Sequence, residues 1–277
     1  KQISESYRKI RNTARFILGN VSDFNPDTDS VSLDELYPMD KWALVKLNEL
    51  ITKVAGAYEK YEFHQVYHSV RNFCVIDMSN FYLDVLKDRL YTEKQDSKSR
   101  RAAQTAIYII LDALTRMISP ILAYTSEEIW KYIPHKATHD SESILFNDMP
   151  KTVDVKVTDD FMLTWEKIHN LRDDVKKALE EAVKAKKIKK SLDAKVILNC
   201  VGEYFDFAKS VENELKSAFI VSEVVVKDAG TTDASSLSID IELAQGEKCE
   251  RCWEHSTTVG QDSEHPTLCA RCVNVLK

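Results

Sequence analysis

The chain has 277 residues, a hydrophobic fraction of 44%, a charged fraction of 30% and a net charge of −6. That length exceeds the usual single domain, the composition is that of an ordinary soluble protein, and the acidic balance excludes a protein that coats nucleic acid indiscriminately. Charges are screened beyond about 8 Å at physiological salt, so local patches decide what each surface attracts.

No apolar run approaches the roughly 18 residues that span a bilayer. The opening KQISESYRKIRNTARF is a charged helix pattern without an apolar signal core. A cytoplasmic location and no membrane association are expected.

Residues 3–18 predict an amphipathic helix. Ile3, Tyr7, Ile10, Ala14, Ile17 and Leu18 recur at three- and four-residue steps, and Gly19-Asn20 supplies a stop. Arg8, Arg11, Asn12 and Arg15 fill the adjoining arc, a basic stripe that is ordinarily just a solvated face. The polar stretch 22–36, SDFNPDTDSVSLDEL, invites an EF-hand reading, but Thr28 stands where the loop needs glycine and Asp34 where it needs glutamate. No calcium site is expected there.

A second helix is predicted from about Asp40, read as its N-cap, to Tyr61, with Leu44, Leu47, Ile51, Val54 and Tyr58 on the core face. A third runs from about 63 to 90 through Val66, Val70, Phe73 and Phe81. After the charged turn TEKQDSKSRR a fourth covers about 100–118, Pro120 interrupts it, and a short helix follows over about 126–133. Long amphipathic helices with short connections favour an antiparallel bundle.

Beyond Pro150 the pattern changes. Residues 159–190 read as a long charged helix ending in the lysine run KAKKIKK. The runs AKVILNC, FIVSEVVV and LSIDIELA read as strands, with a helical stretch near 205–217 and a turn at 228–233, which together make a small α/β domain. The expected organisation is a helical bundle over 1–150, the charged helix and junction over 151–196, the α/β domain over 197–246 and a cysteine-rich tail over 247–277. The lysine run, with Lys187 and Lys190, is ordinarily a solvated face or a helix end favoured by the macrodipole. A phosphate-contacting patch is the functional alternative, because acids thin out where the lysines cluster.

Of six cysteines, Cys74 and Cys200 sit in apolar segments and read as buried core thiols. The other four, Cys249, Cys252, Cys269 and Cys272, form C-x2-C-x16-C-x2-C. Each C-x-x-C offers two thiolates to one ion, and four thiolates close a tetrahedral Zn²⁺ shell with no open position for water, which makes the site structural. Two disulfides or an iron site are the alternatives. A thioredoxin-like pair lacks its βαβ context, and a zinc hydrolase lacks an open metal position. A tail this short cannot fold on buried surface alone, so the metal would supply most of its folding energy. Arg251 and Arg271, each just before a second thiolate, would offset the site's negative charge. Trp253, next to Cys252, is either the lid of a miniature core or an exposed platform for a nucleic-acid base, a contact worth about 1–3 kcal/mol.

Catalytic signatures are missing: the sequence contains no Walker loop, H-E-x-x-H or G-x-S-x-G. His135 and His139 lie in a loop-like stretch without an attached glutamate and are not assigned a metal. The residues point to binding, with no catalytic residue assigned.

Three stretches together resemble the bacterial isoleucyl-tRNA synthetases: YRKIRNTARFILGN, KAKKIKKSLDAKV and KCERCW…LCARC. The first is similar to the start of the anticodon-binding helical domain shared by the isoleucine, valine and leucine enzymes. The second is similar to a C-terminal segment written around K-x-I-G-x-S-L-x-A, with Lys189 in place of the glycine. The third is similar to the zinc-binding tail of the isoleucine enzymes, with Arg251, Trp253 and Arg271 in family positions; valine enzymes lack it. The resemblance implies a mainly α fold: a class I anticodon-binding antiparallel helical bundle, a small α/β domain and a C-terminal four-cysteine zinc knuckle with one structural Zn²⁺. It further implies recognition of the anticodon stem-loop of isoleucine tRNA within a monomeric cytoplasmic ligase. The motifs H-I-G-H and K-M-S-K-S and the editing domain are not found here. The chain therefore resembles a C-terminal part that does not aminoacylate by itself, with ATP and Mg²⁺ belonging to the catalytic core, its partner in the same enzyme. In this light base stacking is favoured for Trp253, with Arg8, Arg11, Arg15, Arg251, Arg271, Lys187 and Lys190 as tRNA contacts. The alternative from another class is a zinc-stabilised helical scaffold for protein partners, without nucleic acid.

Overall fold

The structure, a computed structural model, describes residues 2–230 and 237–277, with side chains from Ser4 onward. The side chain of Ile3 and residues 231–233 of the expected turn lie outside the described residues. The chain divides into two compact units, Lys1–Thr158 and Asp159–Lys277.

The first unit is helical: α1 (Gln2–Asn20), α2 (Pro38–Glu59), α3 (Phe63–Asn72), a π-wound segment (Phe73–Tyr82), α4 (Leu83–Val85), α5 (Lys87–Thr92), α6 (Lys98–Ile118) and α7 (Ala123–Trp130). The periodicity of α1 places Ile10, Ala14 and Ile17 in the core while Arg8, Arg11, Asn12 and Arg15 stay exposed. The centre of the bundle is α6, whose Ile107, Ile110 and Leu111 are fully buried, as are Leu44 and Leu47 of α2, Met78, Tyr82 and Leu86. Burying a side chain of this size contributes about 1.5–3 kcal/mol.

Three details differ from the sequence expectation. Pro38 opens α2 with its preset φ and missing N–H, so Asp40 lies inside the first turn and is not the N-cap. Asp40 is wholly buried, where Arg89 grips its two oxygens at 2.9 and 2.8 Å and Tyr82 donates to it at 2.8 Å. The helix expected over 63–90 is a continuous helical run wound as a π-helix in its middle. The wider turn spreads the carbonyls, and the hydroxyls of Ser79 and Thr13 both donate to the Cys74 carbonyl, at 2.7 and 3.4 Å. The short helix after Pro120 begins at Ala123 and ends at Trp130, ahead of the expected 126–133.

The acids of the 22–36 loop have partners within the protein. Asp23 accepts from both ends of the Arg100 guanidinium at 2.7 and 3.0 Å and from Gln104 at 2.8 Å. Asn25 and Asp29 cap their own turn. His135 and His139 pack on the Trp130 ring, at 4.6 and 5.6 Å between centroids. Cys74 is buried, and burial pushes its thiol up to about 12.

The second unit begins with α8 (Phe161–Lys184), which buries Trp165, Ile168, Leu171, Val175 and Leu179. It ends before the expected residue 190, because Lys186 turns left-handed (φ 59°). Lys186 N–H then donates to Val183 O at 3.0 Å and Lys187 N–H to Ala182 O at 2.9 Å, closing the last carbonyls. A three-stranded sheet follows in the order β2-β1-β3, from β1 (Ala194–Cys200), β2 (Glu223–Asp228) and β3 (Leu237–Leu243). β1 runs parallel to β2 through a crossover made by α9 (Glu203–Ser210) and α10 (Glu212–Phe219), and antiparallel to β3. As the central strand β1 is the most buried, and it includes Cys200. The tail carries the hairpin β4 (Glu247–Lys248) and β5 (His255–Ser256), then α11 (Ala270–Leu276). Among the described residues no helix is long and apolar enough to cross a membrane.

Candidate metal centre and its exposed aromatic

The first C-x-x-C bridges β4 and β5; the second enters α11, where Cys269 is the N-cap residue. The hairpin starts at Gly246 (φ 83°), where a Cβ would meet the Ser256 carbonyl carbon at 2.2 Å, so only glycine permits this approach. Cys249 N–H donates to Glu254 O and Trp253 N–H to Cys249 O, both at 2.9 Å, which curls the knuckle tightly. Glu250 N–H donates to Thr267 O at 3.2 Å and draws the second knuckle alongside.

All four sulfurs lie within 4.8 Å of one another, and Cys252 Sγ is 3.8 Å from Cys269 Sγ. Four sulfurs each about 2.3 Å from a shared ion would stand about 3.8 Å apart, so the set fits tetrahedral zinc. Every one of the thiols is buried, with Val259 and Leu268 packed against them. Burial raises the Cys249 thiol, but the amides of Cys252, Cys269 and Arg251 outweigh it and draw it down to about 6. Burial pushes Cys252 the other way, to about 11. A cation in the cluster would displace such protons and bind four thiolates, leaving no position for a reacting water.

Trp253 is not the lid of this cluster. The residue is 56% exposed, and its backbone is left-handed at φ 65°. A non-glycine residue there costs roughly 1–2 kcal/mol. Lys248 and Lys190 place their Nζ atoms 5.4 and 5.8 Å from the ring centroid. The loop after α8 is tied to the hairpin by Asp193. Its Oδ2 accepts from the amides of Lys189 and Lys190 at 3.0 and 3.1 Å, and its Oδ1 is 3.4 Å from His255 Nε2. Ser222 adds a second tie, donating to Leu192 O at 2.5 Å and accepting from His255 N–H at 2.8 Å.

Of the residues singled out in the sequence, the fold therefore gathers the four cysteines, Trp253, Arg251, Arg271 and Lys190 in one unit. Arg251 is half-buried, and Arg271 is 4.0 Å from Glu254, which also takes Lys216 at 2.9 Å. Lys187 is exposed in the same loop as Lys190. Arg8, Arg11 and Arg15 belong to the first unit, where Arg11 lies 3.8 Å from Glu128. Sequence reasoning missed Lys248, Asp193 and His255. Only Lys248 carried a signal, a cation flanking the first knuckle.

Residues 40–198 match the family described as the anticodon-binding domain of tRNA ligase, and residues 246–275 match the zinc finger found in FPG and IleRS. The second match spans all four cysteines and supports a structural zinc. The chain is 48% identical over 282 residues to an isoleucine–tRNA ligase of Caldanaerobacter subterraneus subsp. tengcongensis, covering 99% of this chain and 30% of that protein. It is 48% identical over 285 residues to one of Desulforamulus reducens and 46% over 283 residues to one of Bacillus cereus, covering 100% of this chain and 30% of each. The chain thus spans about a third of the length of these curated relatives.

Proposed function

Because the chain belongs to the anticodon-binding-domain family of the tRNA ligases, and is similar along its whole length to isoleucine–tRNA ligases, we propose that it grips the anticodon stem-loop of isoleucine tRNA. One zinc ion, held by Cys249, Cys252, Cys269 and Cys272, fixes the knuckle that presents Trp253. The indole stacks on an unpaired base, while Arg251, Arg271, Lys187 and Lys190 contact neighbouring phosphates or base edges. The exposed arc of Arg8, Arg11 and Arg15 supplies further phosphate contacts from the bundle. The whole ligase attaches isoleucine to its tRNA using ATP and Mg²⁺ in a catalytic core, and works as a monomer in the cytoplasm; this chain positions the tRNA for it.

The observation that carries this reading is the half-exposed Trp253, on a left-handed backbone with Lys190 and Lys248 over its ring, beside a cysteine cluster packed by Val259 and Leu268. The test is a filter-binding titration of isoleucine tRNA against valine tRNA, with zinc present and after chelation. Preference for isoleucine tRNA that is lost on chelation is expected. Equal binding of both tRNAs, insensitive to zinc and flat with salt, favours the protein-interaction scaffold instead.

A further inference from the structure

Lys190 and Lys248 come from separate elements, the loop after α8 and strand β4, yet both ammonium groups stand over one indole, at 5.8 and 5.4 Å from its centroid. Their backbones are fixed by the same pair of residues. Lys190 N–H is held by Asp193 at 3.1 Å, Lys248 is paired with His255 across the hairpin, and Asp193 and His255 face each other at 3.4 Å. Lys216 and Arg271 nearby both have Glu254 as a carboxylate partner, at 2.9 and 4.0 Å. Neither Lys190 nor Lys248 has a carboxylate partner among the described residues, and both are exposed.

Two like charges gathered on one side chain repel, and the ring's quadrupole offsets only part of that. The arrangement is complementary to something that presents a flat π face and an anion side by side. A nucleotide does so: its base offers the face and the adjoining phosphodiester the charge. A peptide aromatic would bring the face without the anion, and a free anion would leave the ring bare.

We propose that Lys190 and Lys248 form a two-cation clamp on the phosphate that adjoins the base stacked on Trp253, so that this surface takes one nucleotide of an unpaired strand by base and backbone together. The clamp rests on the stacking role given to Trp253 above. It adds Lys248 to the binding residues, while Asp193 and His255 hold the backbones from which the two side chains extend.

The test uses the zinc-loaded full chain and an RNA anticodon stem-loop, with affinity measured over a series of salt concentrations for wild type, Lys190→Gln/Lys248→Gln and Trp253→Ala, zinc content being checked in each. Each lost single-strand phosphate contact flattens the plot of log affinity against log salt by about 0.7. The double lysine variant should therefore lose roughly 1.4 in slope, bind about tenfold more weakly at low salt, and converge on wild type at high salt. A stem-loop whose loop linkages are neutral methylphosphonates should bind wild type and the double variant alike. Parallel salt plots for wild type and the double variant, with Trp253→Ala still weakened, would overturn the clamp and leave stacking intact. Unchanged binding by Trp253→Ala would overturn the stacking role, and the clamp with it.

Discussion

His255 Nε2 on the zinc hairpin stands 3.4 Å from Asp193 Oδ1, and this one carboxylate joins the hairpin to the loop that carries Lys190. Burial raises the Asp193 pKa, but the amides of Lys189 and Lys190 and the His255 ring outweigh it and hold it below the usual carboxylate value. Asp193→Ala leaves two amides without an acceptor. A loss of about 2 kcal/mol is expected, since hydrogen bonds to a charged group contribute roughly 1.5–3 kcal/mol. Denaturant unfolding of the zinc-loaded protein at neutral pH checks it, and a variant as stable as wild type would show that the tie contributes nothing.

The left-handed backbone at Trp253 separates its structural role from its binding role. Glycine adopts φ 65° without the Cβ clash, which is worth about 1–2 kcal/mol, and gives back about 0.5–1 kcal/mol in chain entropy. Trp253→Gly should therefore be more stable than Trp253→Ala by roughly 0.5–1 kcal/mol. Paired melting curves with equal zinc content decide the order.

At Gly246 the constraint is the reverse. A Cβ would lie 2.2 Å from the Ser256 carbonyl carbon and at a backbone angle that L residues resist. Gly246→Ala should shift β4 against β5 and lower zinc affinity about tenfold or more, since the strain alone is on the order of 1–2 kcal/mol. Competition with a chromophoric chelator measures this. The far-UV helical signal should persist, because the first unit has its own core around α6.

The Arg100 guanidinium beside Asp23 draws its carboxyl to about 2, against the burial that raises it, with Gln104 and Arg101 assisting. The folded-state pKa lies below the unfolded one, so the stabilisation is complete above roughly pH 4 and is lost as pH falls toward 2. Asp23→Asn should cost about 1 kcal/mol at neutral pH after solvent screening. Melting temperatures of variant and wild type should converge near pH 2. A gap that persists there would mean the aspartate acts through packing and not through charge.

What could be read in the sequence was local. The spacing of the four cysteines announces their convergence, because two tight knuckles need no distant information, and the family comparisons bear out the resemblance carried by the arginine-rich opening and the KCERCW tail. The amphipathic stripe of α1 is likewise a matter of helical periodicity. Asp40 looked like an N-cap because it precedes an apolar run; its burial against Arg89 depends on a residue 49 positions away. The π-wound stretch 73–82 leaves the apolar pattern of a plain helix, and its Cys74 carbonyl meets Ser79 within the stretch and Thr13 on another helix. Lys190, 63 residues before Trp253, meets it only because a parallel crossover, a hairpin and Asp193 bring the two segments together. Sequence spacing could put both on the surface, but not side by side.

The claim beneath this account is that a sealed four-sulfur centre holds one indole outward for an unpaired base. Its most direct measurement is the affinity of Trp253→Ala for the isoleucine anticodon stem-loop, with zinc content matched to wild type. Loss of about ten- to a hundredfold is predicted, the equivalent of one base stack. Affinity equal to wild type at equal zinc content would contradict it.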